Sequence, residues 1–155
     1  MLRLKILASV LPLVIVALFA RGDLWGGPRR CIEIAGTTVE ITTLSWQADQ
    51  HVGFTSDPSE ATVRVQASDN PEAADFTVID DIDAAEGGAC EGSAPPRLIA
   101  ISRRPSAADP LIYLSRDGPA DYRIFVASKS FSLLDAAALI VGARGQRHRV
   151  QAAAL

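Results

Sequence analysis

Histidine and acidic side chains are the residues of this sequence best suited to acid–base or metal chemistry. His51 follows Asp49 by two positions, so its ring could act as a general base near a carboxylate. A histidine near an aspartate is also common as a surface or capping residue, and the chain lacks a GxSxG elbow, an HExxH motif and a Gly-rich phosphate loop. The sequence therefore predicts no catalytic residue, no metal ligand and no cofactor.

A run of acids in the middle of the chain offers oxygen ligands. Asp80, Asp81, Asp83 and Glu86 stand close together, and Ca²⁺ prefers carboxylate oxygens. The run lacks the glycine and the ligand spacing of an EF-hand loop. We interpret it as an exposed loop that docks a partner or holds a cation, with an acidic solvated loop as the alternative.

The N-terminus predicts export. The fifteen residues 6–20 (ILASVLPLVIVALFA) carry no charge and are flanked by Arg3, Lys5 and Arg21. A spanning helix needs roughly 20 apolar residues, or about 17 when basic neighbours snorkel, while a cut after Ala17 or Ala20 would place a large residue third from the cleavage site. We predict a retained single-pass anchor with the following domain outside the cytoplasm, and keep a cleaved signal giving a secreted or periplasmic protein as the alternative. The anchor residues are Ile6, Leu11, Val14 and Phe19.

Cys31 and Cys90 are the only cysteines. An even pair in an oxidising compartment is most simply one disulfide, which would close a loop of about 60 residues and contribute on the order of 4 kcal/mol. Free buried thiols are one alternative and a metal or redox role is the other, but the pair has no CxxC spacing and both histidines lie far away in sequence. We predict a Cys31–Cys90 disulfide.

Charge is unevenly distributed along the chain. Residues 31–91 hold thirteen acids and one basic residue, a net charge of 1 − 13 = −12, and residues 92–155 hold nine basic residues and four acids, a net charge of 9 − 4 = +5. Three interpretations follow: solvated surfaces that attract each other as the halves fold together, an acidic face that meets a basic partner, or cation binding. No basic patch is interleaved with aromatics, which argues against nucleic-acid binding.

Alternation of period two dominates the middle of the chain and predicts a small, mainly β (α+β) domain. Seven segments alternate apolar and polar residues or are rich in β-branched and aromatic residues, and His51–Phe54 is a weaker candidate. Turns at Gly36-Thr37 and at Arg116–Pro119 favour hairpins. Because the connections are mostly too short for a crossover helix, we predict an antiparallel β-meander, and Trp46 is expected in its core.

Ala-Asp or Ala-Thr pairs recur thirteen residues apart, at residues 48, 61 and 74. We interpret each unit as one strand and one turn, with chance similarity of turn residues as the alternative. Ser132 and Asp135 resemble a capping box, so a helix is expected to follow, to cover a sheet face and to end at Gly142 or Gly145. A final buried strand over residues 137–141 is the alternative.

The sequence thus predicts a membrane or signal segment (1–27), an exported β domain (28–145) and a loose tail (146–155). The expected function is a membrane-tethered interaction or accessory module that faces the periplasm or the cell exterior. Its expected partners are membrane lipid, through the N-terminal helix, and another envelope or membrane protein. A small exported hydrolase, or a ligand- or cation-binding protein with a site built from loops, is the alternative.

Overall fold

The computed structural model describes residues 31–80, 90 and 94–152, with the backbone alone for residues 145–152. One α-helix, α1 (Leu133–Ala152), follows the strands, and short 3-10 helices span Ser45–Gln47 and Pro71–Ala73. The prediction of a mainly β domain with a C-terminal helix is confirmed. The strands are β1 (Cys31–Ile34), β2 (Thr37–Ile41), β3 (Gln50–Thr55), β4 (Val63–Ala67), β5 (Phe76–Ile79), β6 (Arg97–Ile101), β7 (Leu111–Ser115) and β8 (Tyr122–Ala127).

The strands form one sheet in which two parts of the chain interleave. Their order is β1-β2-β6-β3-β7-β4-β8-β5. Among these described strands only β1 and β2 pair in antiparallel fashion, and every other neighbouring pair is parallel. The predicted antiparallel meander is therefore wrong. The predicted hairpin at Arg116–Pro119 is wrong as well, because β7 and β8 run in the same direction on either side of β4.

The stagger of neighbouring strands explains why short connections can join parallel strands. Ile41 at the end of β2 and Gln50 at the start of β3 both lie level with Ile99 of β6. Likewise, Ala67 at the end of β4 and Phe76 at the start of β5 lie level with one residue of β8. A connection then has only to cross one intervening strand, without returning along a full strand length. The meander prediction assumed a crossover of about a dozen residues, which this stagger makes unnecessary.

The thirteen-residue repeat corresponds to one strand and one crossing connection. Strands β2, β3, β4 and β5 begin at residues 37, 50, 63 and 76, each 13 after the last (50 − 37 = 13). Val39, Val52, Val65 and Val78 occupy the equivalent buried position in each of these strands. The unit was predicted correctly, but β6, β7 and β8 fill the gaps between successive units.

Just before each of four strands, one residue makes two hydrogen bonds to the same residue of a neighbouring strand. The Asp49 N–H donates to the Leu98 carbonyl oxygen (2.9 Å), and Asp49 Oδ2 accepts from the Leu98 N–H (2.8 Å). A side-chain oxygen so placed satisfies a backbone donor at the start of the neighbouring strand. The same pair of bonds recurs at three further positions: Thr62 with Leu111, Asp75 with Arg123, and Asp121 with Arg64.

The first half of α1 is enclosed by the sheet. All residues from Ala136 to Gly142 are buried, and the helix contacts β1, β2, β3, β4, β6 and β8. In a flat sheet β1 and β8 would lie about 29 Å apart, at about 4.8 Å per strand. A helix about 10 Å wide touches both because the sheet curls around it.

The start of α1 was predicted correctly, and its end was not. The Asp135 N–H donates to Ser132 Oγ (3.1 Å) and the Ser132 N–H donates to Asp135 Oδ2 (3.0 Å), which forms the expected capping box. Gly142 does not end the helix, which continues to Ala152, into the segment 146–155 that we predicted to be loose. A Cβ at Gly142 would lie 2.7 Å from Ile99 Cδ1, so this glycine lets the helix approach β6. The alternative strand over 137–141 is excluded.

The N-terminal edge of the sheet is a hairpin closed by the disulfide. Ala35 (φ 50°) and Gly36 (φ 79°) form its two-residue turn, as a type I′ turn requires. Cys31 at the start of β1 is bonded to Cys90, with their Cα atoms 5.3 Å apart. The hairpin is confirmed, with its turn one residue earlier than the predicted Gly36-Thr37, and the disulfide is confirmed.

Candidate functional site

His51 bonds to Ser45 and not to Asp49. Its Nε2 lies 3.0 Å from the Ser45 carbonyl oxygen and 3.1 Å from Ser45 Oγ. A carbonyl oxygen can only accept, so the bond to it requires a proton on Nε2. Nε2 in that state cannot take a proton from the Ser45 hydroxyl. The ring therefore holds the connection between β2 and β3 in place. Asp49 Oδ2 accepts from the Leu98 N–H and not from the ring.

Asp80, the first acid of the predicted docking or cation loop, is a structural brace. Its carboxylate accepts hydrogen bonds from the Ser128 hydroxyl and the Lys129 N–H. Ser128 Oγ in turn accepts from the N–H groups of Ser130 (3.0 Å) and Phe131 (2.8 Å). Asp80 thus ties the end of β5 to the segment that leads into α1.

The same hydrogen bonds lower the pKa of Asp80. The bond from the Ser128 hydroxyl, followed by the bond from the Lys129 N–H, holds the pKa of this carboxyl below its ordinary value of 3.8. The bonds from the Ser59 side chain and backbone lower the pKa of Asp57 in the same way. A carboxyl whose pKa is depressed by folding stabilises the folded state above its unfolded pKa, and this contribution is lost as the pH falls through the folded pKa.

We therefore expect the variant Asp57→Asn/Asp80→Asn to lose less stability on acidification than the original chain. In the original chain this stability is lost at pH values below about 4, because the ordinary pKa of both carboxyls is 3.8. The measurement is the urea midpoint at pH 7 and at pH 3. Asp117→Asn, at an exposed acid of the turn after β7, is the control. Equal pH dependence in the original chain and the double variant would contradict the assignment.

The remaining acids of that loop, Asp81, Asp83 and Glu86, lie outside the described residues, as do the anchor residues Ile6, Leu11, Val14 and Phe19. Within the described part of the chain no three His, Cys, Asp or Glu side chains are grouped as metal ligands would be. No described helix is both long enough and apolar enough to cross a bilayer. The predictions of an anchor and of a docking or cation loop stay predictions.

An open depression of about 310 Å³ lies where two crossing connections meet the sheet. Its charged groups are already engaged: Arg64 Nη2 donates to the Pro58 carbonyl oxygen (3.2 Å), and Asp121 Oδ2 accepts from the Arg64 N–H (2.8 Å). The depression is lined by Ala61, Thr62, Arg64, Pro119, Ala120 and Asp121.

Aromatic rings and one guanidinium form a small cluster on the helix side of the sheet. The Phe76 and Tyr122 rings meet edge to face, with centroids 5.9 Å apart. The Arg144 guanidinium carbon lies 4.8 Å from the Phe76 centroid and 5.4 Å from the Tyr122 centroid. Such cation–π contacts stabilise the packing of α1 against the starts of β5 and β8.

Large apolar side chains on the surface are the groups that sequence reasoning missed. Trp46, expected in the core, is 80% exposed on the connection between β2 and β3. Ile79 on β5 is 59% exposed. A signal for Trp46 was present, because the polar pair Thr42-Thr43 interrupts the alternation of β2 and puts Trp46 out of phase with Ile41, before β3 begins at Gln50. Among the residues whose side chains the structure describes, the exposed large apolar ones are Leu44, Trp46, Ile79, Ile101 and Leu134.

The interleaved topology also bears on the charge asymmetry. The acidic first part of the chain forms β1 to β5, and the basic second part forms β6 to β8, so strands from the two parts alternate from β2 to β5 across the sheet. The two parts therefore do not form separate lobes.

Comparison of the chain with protein-family models, with curated proteins and with solved structures finds no match.

Proposed function

We propose that this protein is a membrane-tethered module that holds its β domain outside the cytoplasm and binds another envelope protein through the free edge of β5. Residues 6–20 would supply the tether, and the disulfide fits an oxidising compartment. The observation that carries the proposal is an uncharged edge strand with exposed apolar and polar side chains.

Four described acids and His51 support binding over catalysis. Asp49, Asp75, Asp80 and Asp121 each accept hydrogen bonds from backbone N–H groups of other strands or turns. His51 is bonded to Ser45. General acid–base chemistry needs such groups to converge on one substrate position, and here they are spread over the starts and ends of strands.

The β5 edge is suited to accept a further strand. Within the described residues β5 pairs with β8 alone, on one side. Its sequence, Phe76–Ile79, carries no charge, and Thr77 and Ile79 are exposed. An open edge of this kind binds an extended segment through backbone hydrogen bonds, while alternate side chains supply specificity.

The other edge of the sheet is less suited to this role. β1 carries the exposed acid Glu33 in its middle, and charges on an edge strand discourage the addition of another strand. β5 is instead flanked by Asp75 and Asp80 just outside the strand. A partner segment with apolar residues in its centre and basic residues at its ends would match this edge.

The test is affinity purification of the tagged full-length protein from detergent-solubilised membranes, with and without Ile79→Lys. We expect the variant to retain at least about tenfold less of a specific partner, which corresponds to about 1.4 kcal/mol. Ile101→Lys is the matched control, because Ile101 is also exposed but lies on β6, between β2 and β3.

Both variants should keep the circular dichroism spectrum of the original chain, since both substitutions lie at exposed positions. An unchanged set of partners across all three proteins would contradict binding at β5. Loss of the same partner in both variants would assign the effect to the added charge and not to the edge.

A further inference from the structure

The connection between β2 and β3 is an uncharged projection on the protein surface that exposes two large apolar side chains. No residue from Thr42 to Ala48 is charged. Trp46 is 80% exposed and Leu44 is 38% exposed. The Ser45 carbonyl oxygen and hydroxyl bond to His51, which fixes the segment to β3. A tryptophan held outward in this way offers an apolar ring with an N–H donor, the combination that favours the boundary between lipid headgroups and acyl chains.

This projection lies at the place where the chain enters the domain from its N-terminal side. Cys31, the first residue of β1, lies level with Glu40 of β2, and Glu40 lies level with Leu98 of β6. The connection closes at the same level, because Asp49 bonds to Leu98. Two strand spacings of about 4.8 Å separate β1 from β6, so the projection lies about 10 to 15 Å from Cys31.

The length of chain before Cys31 limits how far this end can stand from a bilayer. Ten residues, 21–30, lie between the apolar run and β1. Even when fully extended they span at most about 35 Å, comparable with the diameter of a domain of this size. The tether therefore keeps Cys31, and with it the nearby Trp46, within reach of the bilayer.

We propose that Trp46, together with Leu44, inserts into the headgroup region of the bilayer to which the protein is tethered and so orients the domain on the membrane. The lipid surface is the occupant of this patch. The inference rests on the tether in the proposed function. The patch and the β5 edge share no residues, so the same protein can use both.

The test uses the full-length chain in phosphatidylcholine vesicles with brominated acyl chains, which quench tryptophan only on close approach. The chain has two tryptophans, so Trp25→Phe leaves Trp46 as the single reporter. A second protein, Trp25→Phe/Trp46→Phe/Ile79→Trp, places the reporter on β5 instead. We expect brominated lipid to reduce Trp46 emission several-fold more than emission from the β5 reporter.

Flotation of the same vesicles separates the two proposals. If the protein floats with the vesicles and Trp46 is quenched no more than the β5 reporter, the lipid contact is overturned while the tether stands, and a protein becomes the occupant to seek. If the protein does not float, the tether fails and the lipid contact fails with it. Because Trp46 is exposed, Trp46→Phe should not alter folding, and circular dichroism checks this.

Discussion

Replacing Ala136, Ala137 or Ala138 by lysine, one at a time, is expected to destabilise the domain in all three cases. Each side chain is fully buried, and successive residues of an α-helix point about 100° apart. An unpaired buried charge costs about 3 to 5 kcal/mol. The free energy of unfolding of a typical domain is only about 5 to 15 kcal/mol, so this cost is a large part of it. The measurement is the urea midpoint of each full-length variant in mild detergent.

A matched control lies on the same helix. Leu134 is 47% exposed, so Leu134→Lys should change the free energy of unfolding by no more than about 0.5 kcal/mol. If the chain tolerates lysine at any one of the three alanines as well as it does at position 134, α1 presents a solvent face and the sheet does not enclose it.

The double variant Cys31→Ala/Cys90→Ala is expected to lose on the order of 4 kcal/mol of stability. The disulfide joins residues 59 apart, and closing a loop of that length restricts the unfolded chain. It also attaches β1, which pairs only with β2 among the described strands, to the segment before β6. The measurement is urea unfolding of the oxidised original chain and of the variant at the same pH.

Reduction of the original chain provides the control for this prediction. The reduced protein should unfold at about the same urea concentration as the double variant, because both lack the bond and keep the other contacts. A double variant as stable as the oxidised original would show that the bond does not stabilise the fold. A reduced chain as stable as the oxidised one, beside an unstable variant, would attribute the loss to alanine packing at Cys31, which is buried in β1.

Local patterns sufficed to locate most elements. Alternation placed the strands, including the weak candidate at His51–Phe54, which forms most of β3. Ser132 and Asp135 marked the start of α1 through bonds three residues apart. The even pair of cysteines predicted the disulfide. Each of these features depends on residue types at short spacing or on a pairing with no competitor, so the chain itself contains the information.

The direction and order of the strands depend on contacts that no local pattern reports. Asp121 bonds to Arg64 across 57 residues, and Thr62 to Leu111 across 49. The thirteen-residue repeat is compatible with a meander and with interleaved parallel strands, because both bury the same alternate side chains. The stagger distinguishes the two folds, because it places the start of one strand level with the end of the previous strand across an intervening strand and so favours parallel strands.

The sequence by itself determined which residues form strands, where the helix begins and which cysteines pair, because these follow from backbone preference, capping chemistry and the number of cysteines. Only the tertiary structure decided that the helix is enclosed, that Trp46 faces outward and that the acids at strand starts bond to backbone. The physical reason is that burial and hydrogen-bond partners are set by the curl of the sheet. That curl arises from the pairing of distant segments and is a property of the whole domain.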